Sequence, residues 1–506
     1  MLDGQMKRKV VNRNPDKFLY EQVTVVRNSI THFIKIEEAH MNLKKTVTIA
    51  AAAGALAAIS VPAMAFENEF HGIYNFKTFF SNYENGGTAN IDPTQYRGDN
   101  KMNNFTQQRA RLQYIAKAND DLKLVTHLEM DANFGGDKTG KYGVSSDAGT
   151  ADADGIAIEV KHVFLDFNLG KSVNVKTGIQ PVKDSVKGIF FDEDAAGILA
   201  TTSLGSAKVG LGYFRLATET SLAASTTSFY TNASQLGHQN KDLFALDAKF
   251  AANKNITVGG AYYLLADYTA NANSTIHMFD VNAEAKVGPA TISGFFAAQT
   301  GYSYATGTTV AKRAASGYAA NIAAKAAVGP GTLKTAFLYT SGDGKAKNND
   351  NSVTNNDTSW KNSGVVTYVE GGMFLLSRTG VGGTTNDRTI IGTTGAGQKG
   401  VWLATMGYDA NLTPKLYANA NLGMAWAAKN LNAPKDRQTG LSNASNLLGT
   451  EINLETGYKV YDNLTAKVQL AYVFLGGYYK GSAAVTDLNR TPENPYTTRV
   501  GLSYAF

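Results

Sequence analysis

The chain has 506 residues, 48 Lys and Arg against 42 Asp and Glu, 50 Gly, 10% aromatic residues and no Cys. The lack of Cys excludes disulfides, thiolate metal sites and haem attached through a Cys-x-x-Cys-His motif. Beyond residue 65 no stretch is long and apolar enough for a membrane-spanning helix, and the chain from there on carries 39 basic against 37 acidic residues, too even a balance for a nucleic-acid partner.

Residues 1–40 are charged and mixed, and they precede a complete export signal, so this segment reads as a mis-assigned upstream start. Met41-Asn42-Leu43-Lys44-Lys45 opens a basic region, Val47 to Val61 is a run of alanines and aliphatics, and Ala63-Met64-Ala65 has the small-x-small pattern of a cleavage site. Residues 41–65 are therefore expected to be a cleaved signal peptide, and the mature protein to span 66–506. Its first strand alternates through Phe70, Gly72, Tyr74, Phe76, Thr78 and Phe80 and starts almost at once, leaving no room for an N-terminal plug domain.

Turn signals then divide the chain. Tight connections are expected at Asn119-Asp120-Asp121, Gly170-Lys171-Ser172, Leu204 to Ala207, Ala252 to Asn255, Val287-Gly288-Pro289, Val328 to Gly331, Asn411 to Pro414 and Tyr461-Asp462-Asn463. Between them lie nine longer polar stretches, at about 81–103, 135–155, 181–197, 218–241, 268–275, 300–315, 342–399, 428–448 and 476–496. Eight turns and nine loops join 18 strands, an even number that puts both termini on the periplasmic side of an all-β, antiparallel, up-and-down transmembrane barrel. Val365 to Arg378 and Arg388 to Thr394 offer a further hairpin and a count of twenty, but Gly371-Gly372 and Gly382-Gly383 interrupt them, which favours eighteen with an extracellular insert in the 342–399 loop. A barrel of this girth is too wide to be filled by its own side chains.

The chain ends in Val500, Leu502, Tyr504 and Phe506 on one face of a strand. This terminus resembles the signal by which the outer-membrane barrel assembly machinery recognises its substrates, which implies a Gram-negative cell outer membrane, with lipid and lipopolysaccharide around the barrel. The stretch Phe105 to Tyr114 with Asn119-Asp120-Asp121-Leu122 resembles the second strand and turn of many Gram-negative porins. Thr340-Ser341-Gly342-Asp343, Gly449-Thr450-Glu451 and Tyr458 to Leu464 look like the pattern of the alginate-export porin superfamily, which implies eighteen strands. Ile179 stands where that family tends to carry Arg, so no polysaccharide-binding arginine is carried over.

Strand parity names the residues that face the lumen. With the first turn at 119–121, opposed positions sum to 240, pairing Arg111 with Glu129, Arg109 with Asp131 and Gln113 with His127; the next hairpin pairs Asp166 with Lys176 and His162 with Gln180. Near the tight turns, eleven inward lysines, among them Lys249, Lys286, Lys325 and Lys334, face four inward acids and form a basic periplasmic vestibule, screened over roughly 8 Å at physiological salt. Pro181 to Gly197 is the expected constriction loop, with Ile189-Phe190-Phe191 packed and Lys183, Asp184, Lys187, Asp192, Glu193 and Asp194 on the eyelet.

Other chemistry finds no support. His71, His127, His162, His238 and His277 lack metal-ligand spacing, Asn348 to Asp357 lacks the closing Glu of a calcium loop, and there is no Gly-x-Ser-x-Gly elbow. No cofactor, metal or catalytic residue is expected. The expected function is a water-filled porin for passive or weakly selective diffusion of small polar or anionic solutes. The alternative is a structural barrel sheathing a partner such as a multihaem cytochrome. Small outward residues at Tyr318 to Ala326 and Ala290 to Ala298 suggest a homotrimer contact.

Overall fold

The computed structural model describes residues 67–84, 102–136, 149, 151, 158–218, 240–268, 274–305, 311–343, 356–363, 368–377, 389–391, 399–429, 445–479 and 493–506. The expected leader at 41–65 and the segment before it lie outside these residues, and so does His238. Residues Phe66–Phe506 make one compact unit, and everything below concerns it.

Alternating residues in every stretch between turn signals produce strands: β1 (Glu67–Ser81), β2 (Asn103–Asn119), β3 (Leu122–Asn133), β4 (Glu159–Leu169), β5 (Val173–Lys183), β6 (Asp192–Leu204) and β7 (Ala207–Ala217). They continue as β8 (Lys241–Asn253), β9 (Ile256–Asp267), β10 (Ser274–Val287), β11 (Ala290–Ala305), β12 (Ala311–Ala315), β13 (Tyr318–Val328) and β14 (Gly331–Thr340). The last are β15 (Val401–Asn411), β16 (Leu416–Ala427), β17 (Leu447–Tyr461), β18 (Leu464–Leu475) and β19 (Tyr496–Ala505). Each pairs antiparallel with its neighbours, and β1 pairs with β19, so the sheet closes. Strands β12 and β13 both pair with β11 and share one place in the wall, split at Ser316-Gly317, so the 19 segments make a barrel of eighteen wall positions. Closure removes the free edges that lipid cannot satisfy.

The seam is made by the chain terminus. Phe76 faces Leu502 and Tyr74 faces Tyr504. Phe506 and Gly72 exchange backbone hydrogen bonds at 2.9 and 3.0 Å. A Cβ on Gly72 would run into the Phe506 ring, so the glycine makes room for the aromatic terminus.

All eight expected tight turns separate consecutive strands, and the nine long connections lie at the opposite end of the strands. Between β14 and β15 no strand forms among the described residues. The two runs weighed as an extra hairpin do meet, through Ile390 N–H to Leu375 C=O at 2.8 Å and Ile391 N–H to Leu376 C=O at 3.2 Å, but outside the wall.

Parity sorts the two faces. Leu211, Phe279, Val281, Phe296, Ile322 and Ile452 point outward and are largely exposed, the apolar band that lipid covers. Aromatic residues gather outward near the long-connection end, where the Tyr339 ring lies tilted against Tyr318 and Trp402 with ring centres 5.5 and 4.3 Å away. The core lies inside the barrel and holds Ile189, Phe190, Phe191, Phe214, Leu243, Met278, Leu338, Trp360, Met373 and Leu375.

Candidate functional site

The lumen is the site, and its wall begins with β2 and β3. Arg109 faces Asp131 and Arg111 faces Glu129 in the register. Arg109 donates two bonds to Asp131, Nε to Oδ1 at 2.7 Å and Nη2 to Oδ2 at 2.5 Å, and its Nη2 also lies 3.1 Å from Glu129. Arg111 Nε bonds the other Glu129 oxygen. The four charges form one network rather than two separate pairs. On the next hairpin Asp166 faces Lys176 at 4.0 Å and takes Lys123 at 3.5 Å as well.

His162 departs from its expected partner. The β4–β5 pairing stops at Val163 and Ile179, so Gln180 does not face it; Gln180 Nε2 instead donates to the carbonyls of Lys176 and Gly197 at 3.3 and 3.2 Å. A register shift in the β3–β4 ladder sets His162 across from His127, with their Nδ1 atoms 3.1 Å apart.

The constriction loop is shorter than expected. Pro181 to Lys183 belong to β5 and Asp192, Glu193 and Asp194 to β6, leaving residues 184–191 between the strands. Alternation continues through those flanking residues, so they stay in the ladder: Lys183 faces Asp192 and bonds it at 2.8 Å, while Asp194 bonds Lys161 and His162. Asp184 sits inside the loop, not on an eyelet. Its carboxylate accepts the N–H groups of Val186 and Gly188 on one oxygen and those of Phe190 and Phe191 on the other, at 2.7–2.9 Å. Burial pushes this carboxyl up to about 6, against the pull of the four amides. The loop packs on inward side chains of several strands, with Ile189, Phe190 and Phe191 buried beside Phe214, Leu243, Tyr263 and Met278. Ser185 Oγ donates to Asp280 at 2.6 Å.

Lys187 has φ 68° and is followed by Gly188 at 82°. That left-handed pair turns the chain and aims Lys187 Nζ at Glu370, 3.2 Å away, and at Ser293 Oγ, 3.3 Å.

Glu370 belongs to the longest connection, whose described residues turn into the barrel instead of standing off it as an extracellular insert. Trp360 is fully buried and donates Nε1–H to the Ile189 carbonyl at 3.0 Å, locking the two inserts together. Phe374, Leu375 and Leu376 donate their N–H groups to the buried carboxylate of Glu451 on β17 at 2.6–3.0 Å. Met373 lies against Gly423, where a side chain would displace it. Phe374 reaches Arg499, whose guanidinium carbon lies 5.4 Å from that ring and 5.5 Å from Phe79, and Arg499 bonds Glu84 at 2.5 Å.

Glu84, Trp360, Glu370 and Arg499 did not stand out in the sequence, and Glu451 did so only as part of the Gly449-Thr450-Glu451 motif, not as an insert acceptor. Their signal was indirect: Phe214, Leu243, Met278, Phe295 and Leu338 hold inward positions, where a wall facing water carries polar residues.

The vestibule lysines sit near the tight turns. Lys249 faces Lys208 across β7–β8, and Lys325 faces Lys334, which bonds Asp409 at 2.6 Å. Lys286 faces Thr291. A recess of about 180 Å³ opens in the wall between Lys77, Glu455, Lys467, Gln469, Arg499 and Ser503.

No family model and no curated protein sequence matches the chain. Among solved structures it is similar to OccAB1 of Acinetobacter baumannii, at 12% identity over 87% of this chain and 97% of that one, with a TM-score of 0.47. It is similar to the outer membrane protein OpdK of Pseudomonas aeruginosa, at 10% identity over 87% and 98%, TM-score 0.49. An anion-selective porin from Comamonas acidovorans matches at 12% identity over 87% and 100%, TM-score 0.40. The barrel assignment itself rests on the closed strand register.

Proposed function

We propose that the protein is an outer-membrane porin through which small polar or anionic solutes diffuse passively or with weak selectivity. One observation carries this reading: a closed barrel of eighteen wall positions has an inner surface with ion pairs on β2 to β5, lysines near the tight turns and two inward inserts nearer the long connections. A wide barrel needs such inserts to become selective, because wall side chains alone cannot reach across it. On this reading the passage runs along the wall of β2 to β5, past the partly exposed Arg111 and Lys176, while Arg109, Glu129 and Asp131 are buried in the ion-pair network they share with Arg111. The lysines near the tight turns and the Lys77–Lys467–Arg499 recess favour anions. The inserts fill space that a sheathed cytochrome would need, which weighs against that alternative.

Export through a cleaved signal peptide at 41–65, insertion by the assembly machinery through Phe506, contact with lipopolysaccharide, a homotrimer through the small outward faces of β11 and β13, and kinship with alginate-export porins belong to the same proposal. Planar-bilayer recording tests it: a stable conductance with reversal toward chloride is expected, a sealed barrel overturns the porin reading, and a clearly cation-selective channel overturns its anion preference.

A further inference from the structure

His127 on β3 and His162 on β4 lie 35 residues apart and meet only because of the ladder. At the outer end Glu129 faces Glu159 and Leu128 faces Val160; Lys161 is then passed over and His162 faces His127. This bulge sets an imidazole, in place of a lysine, opposite an imidazole. The two Nδ1 atoms stand 3.1 Å apart, with ring centres at 5.0 Å and planes at 60°. The second nitrogen of His162, Nε2, lies 2.7 Å from Asp194 Oδ1, and the other oxygen of that carboxylate is held by Lys161 at 2.5 Å.

The carboxylate fixes the tautomer. Asp194 accepts, so His162 carries its proton on Nε2 and turns the Nδ1 lone pair toward His127. Without a cation, His127 Nδ1–H donates to that lone pair. If the His127 proton resides on Nε2 instead, two lone pairs converge. Two imidazole nitrogens bound at about 2.0–2.1 Å to one ion lie about 2.9 Å apart at a right angle and about 3.4 Å apart at the tetrahedral angle. The observed 3.1 Å lies between these limits. A carboxylate on the outer nitrogen of a ligating histidine is the usual second support of such sites.

We propose that His127 and His162 chelate a divalent transition metal ion of the imidazole-preferring class, Cu²⁺, Ni²⁺ or Zn²⁺, in the barrel wall, with Asp194 as a positioning residue. Among the described residues no group of three His, Asp or Glu gathers around one point, so water completes the coordination and the ion exchanges. Imidazole pairs prefer these ions over Mg²⁺ and Ca²⁺.

The test is Cu²⁺ titration of the refolded mature barrel at pH 7.5, followed by electron paramagnetic resonance. Wild type should bind one Cu²⁺ whose spectrum carries coupling to two imidazole nitrogens. His127→Asn and His162→Asn should each remove that two-nitrogen signal and weaken binding at least tenfold. Asp194→Asn should keep the signal and weaken binding about tenfold, whereas His277→Asn should change nothing. Heat-modifiable migration reports folding, and His127→Gln is the second variant should His127→Asn not refold. The same Cu²⁺ stoichiometry and spectrum in a folded His127→Asn or His127→Gln barrel overturns the site. This readout needs no open channel, so it stands apart from the porin assignment.

Discussion

The two sides of the inner wall obey opposite rules. From β2 to β5 the inward charged residues include Arg109, Arg111, Glu129, Asp131, Asp166 and Lys176, and they bond one another across the ladder. From β7 to β14 the inward positions in the half nearer the long connections are Phe214, Leu243, Tyr263, Met278, Phe295 and Leu338, and the inserts cover them. The charged residues satisfy one another through cross-strand ion pairs, whereas apolar ones need a cover that the same chain must supply. An apolar inward stripe in a wide barrel is therefore the imprint of an inserted segment.

The largest effect should come from releasing that cover. Glu451→Ala removes the acceptor of three insert amides, and Asp184→Ala removes that of four, each orphaned N–H costing about 1–3 kcal/mol. Either change should undock its insert, raise single-channel conductance severalfold and leave the barrel heat-modifiable. Unchanged conductance in both variants would mean that the inserts do not set the pore, and the contrast between the two sides would lose its functional meaning.

Next in size is the vestibule. Lys249, Lys286 and Lys325 face the lumen away from the inserts, near the tight turns. Reversing all three to Glu should move the reversal potential toward cation preference with little change in conductance. A wild-type channel that is already cation-selective would show that acids nearer the inserts, Glu129, Asp131 and Glu370 among them, control the field.

How much of this was legible depended on whether the information was periodic. Alternation and turn chemistry name the eight tight turns, the eighteen wall positions and the facing pairs Arg109–Asp131 and Arg111–Glu129, because a period of two and a fixed turn determine register. The loop at 184–191 was legible through Ile189-Phe190-Phe191, although its flanks were read too generously, since Asp192 to Asp194 are charged and still continue a strand. The inward course of 356–363 and 368–377 was not legible: irregular backbone has no period, and Glu451, offered by the sequence only within a porin-like motif, shows its role only once the amides of Phe374 to Leu376 arrive beside it. The His127–His162 meeting depends on a bulge, which shifts register without leaving a mark in sequence spacing.

A smaller effect concerns pH. Burial raises the Asp184 carboxyl from 3.8 to about 6. Its contribution to docking is therefore complete below about 3.8, is lost as pH rises through about 6, and is constant above. Conductance should climb over that window in wild type, and the Asp184-dependent part of the climb should vanish in Asp184→Asn. An identical profile in both proteins would move the titration to the charged side of the wall.

The smallest effect belongs to that charged side itself. Arg111→Ala deletes one of the two cations on Glu129 but leaves Arg109 at 3.1 Å from it, so the carboxylate keeps a partner and neither Asp131 contact is touched. A cross-strand charge pair is worth about 0.2–1 kcal/mol, and Glu129 keeps Arg109 as its partner, so refolding yield and thermal stability should barely move. Conductance should still shift slightly toward cations, because one positive charge leaves the passage opposite the inserts. A loss of stability comparable to that of Glu451→Ala would show that the Arg–Glu–Asp network carries the wall as strongly as the inserts fill it, and the two sides would then follow one rule.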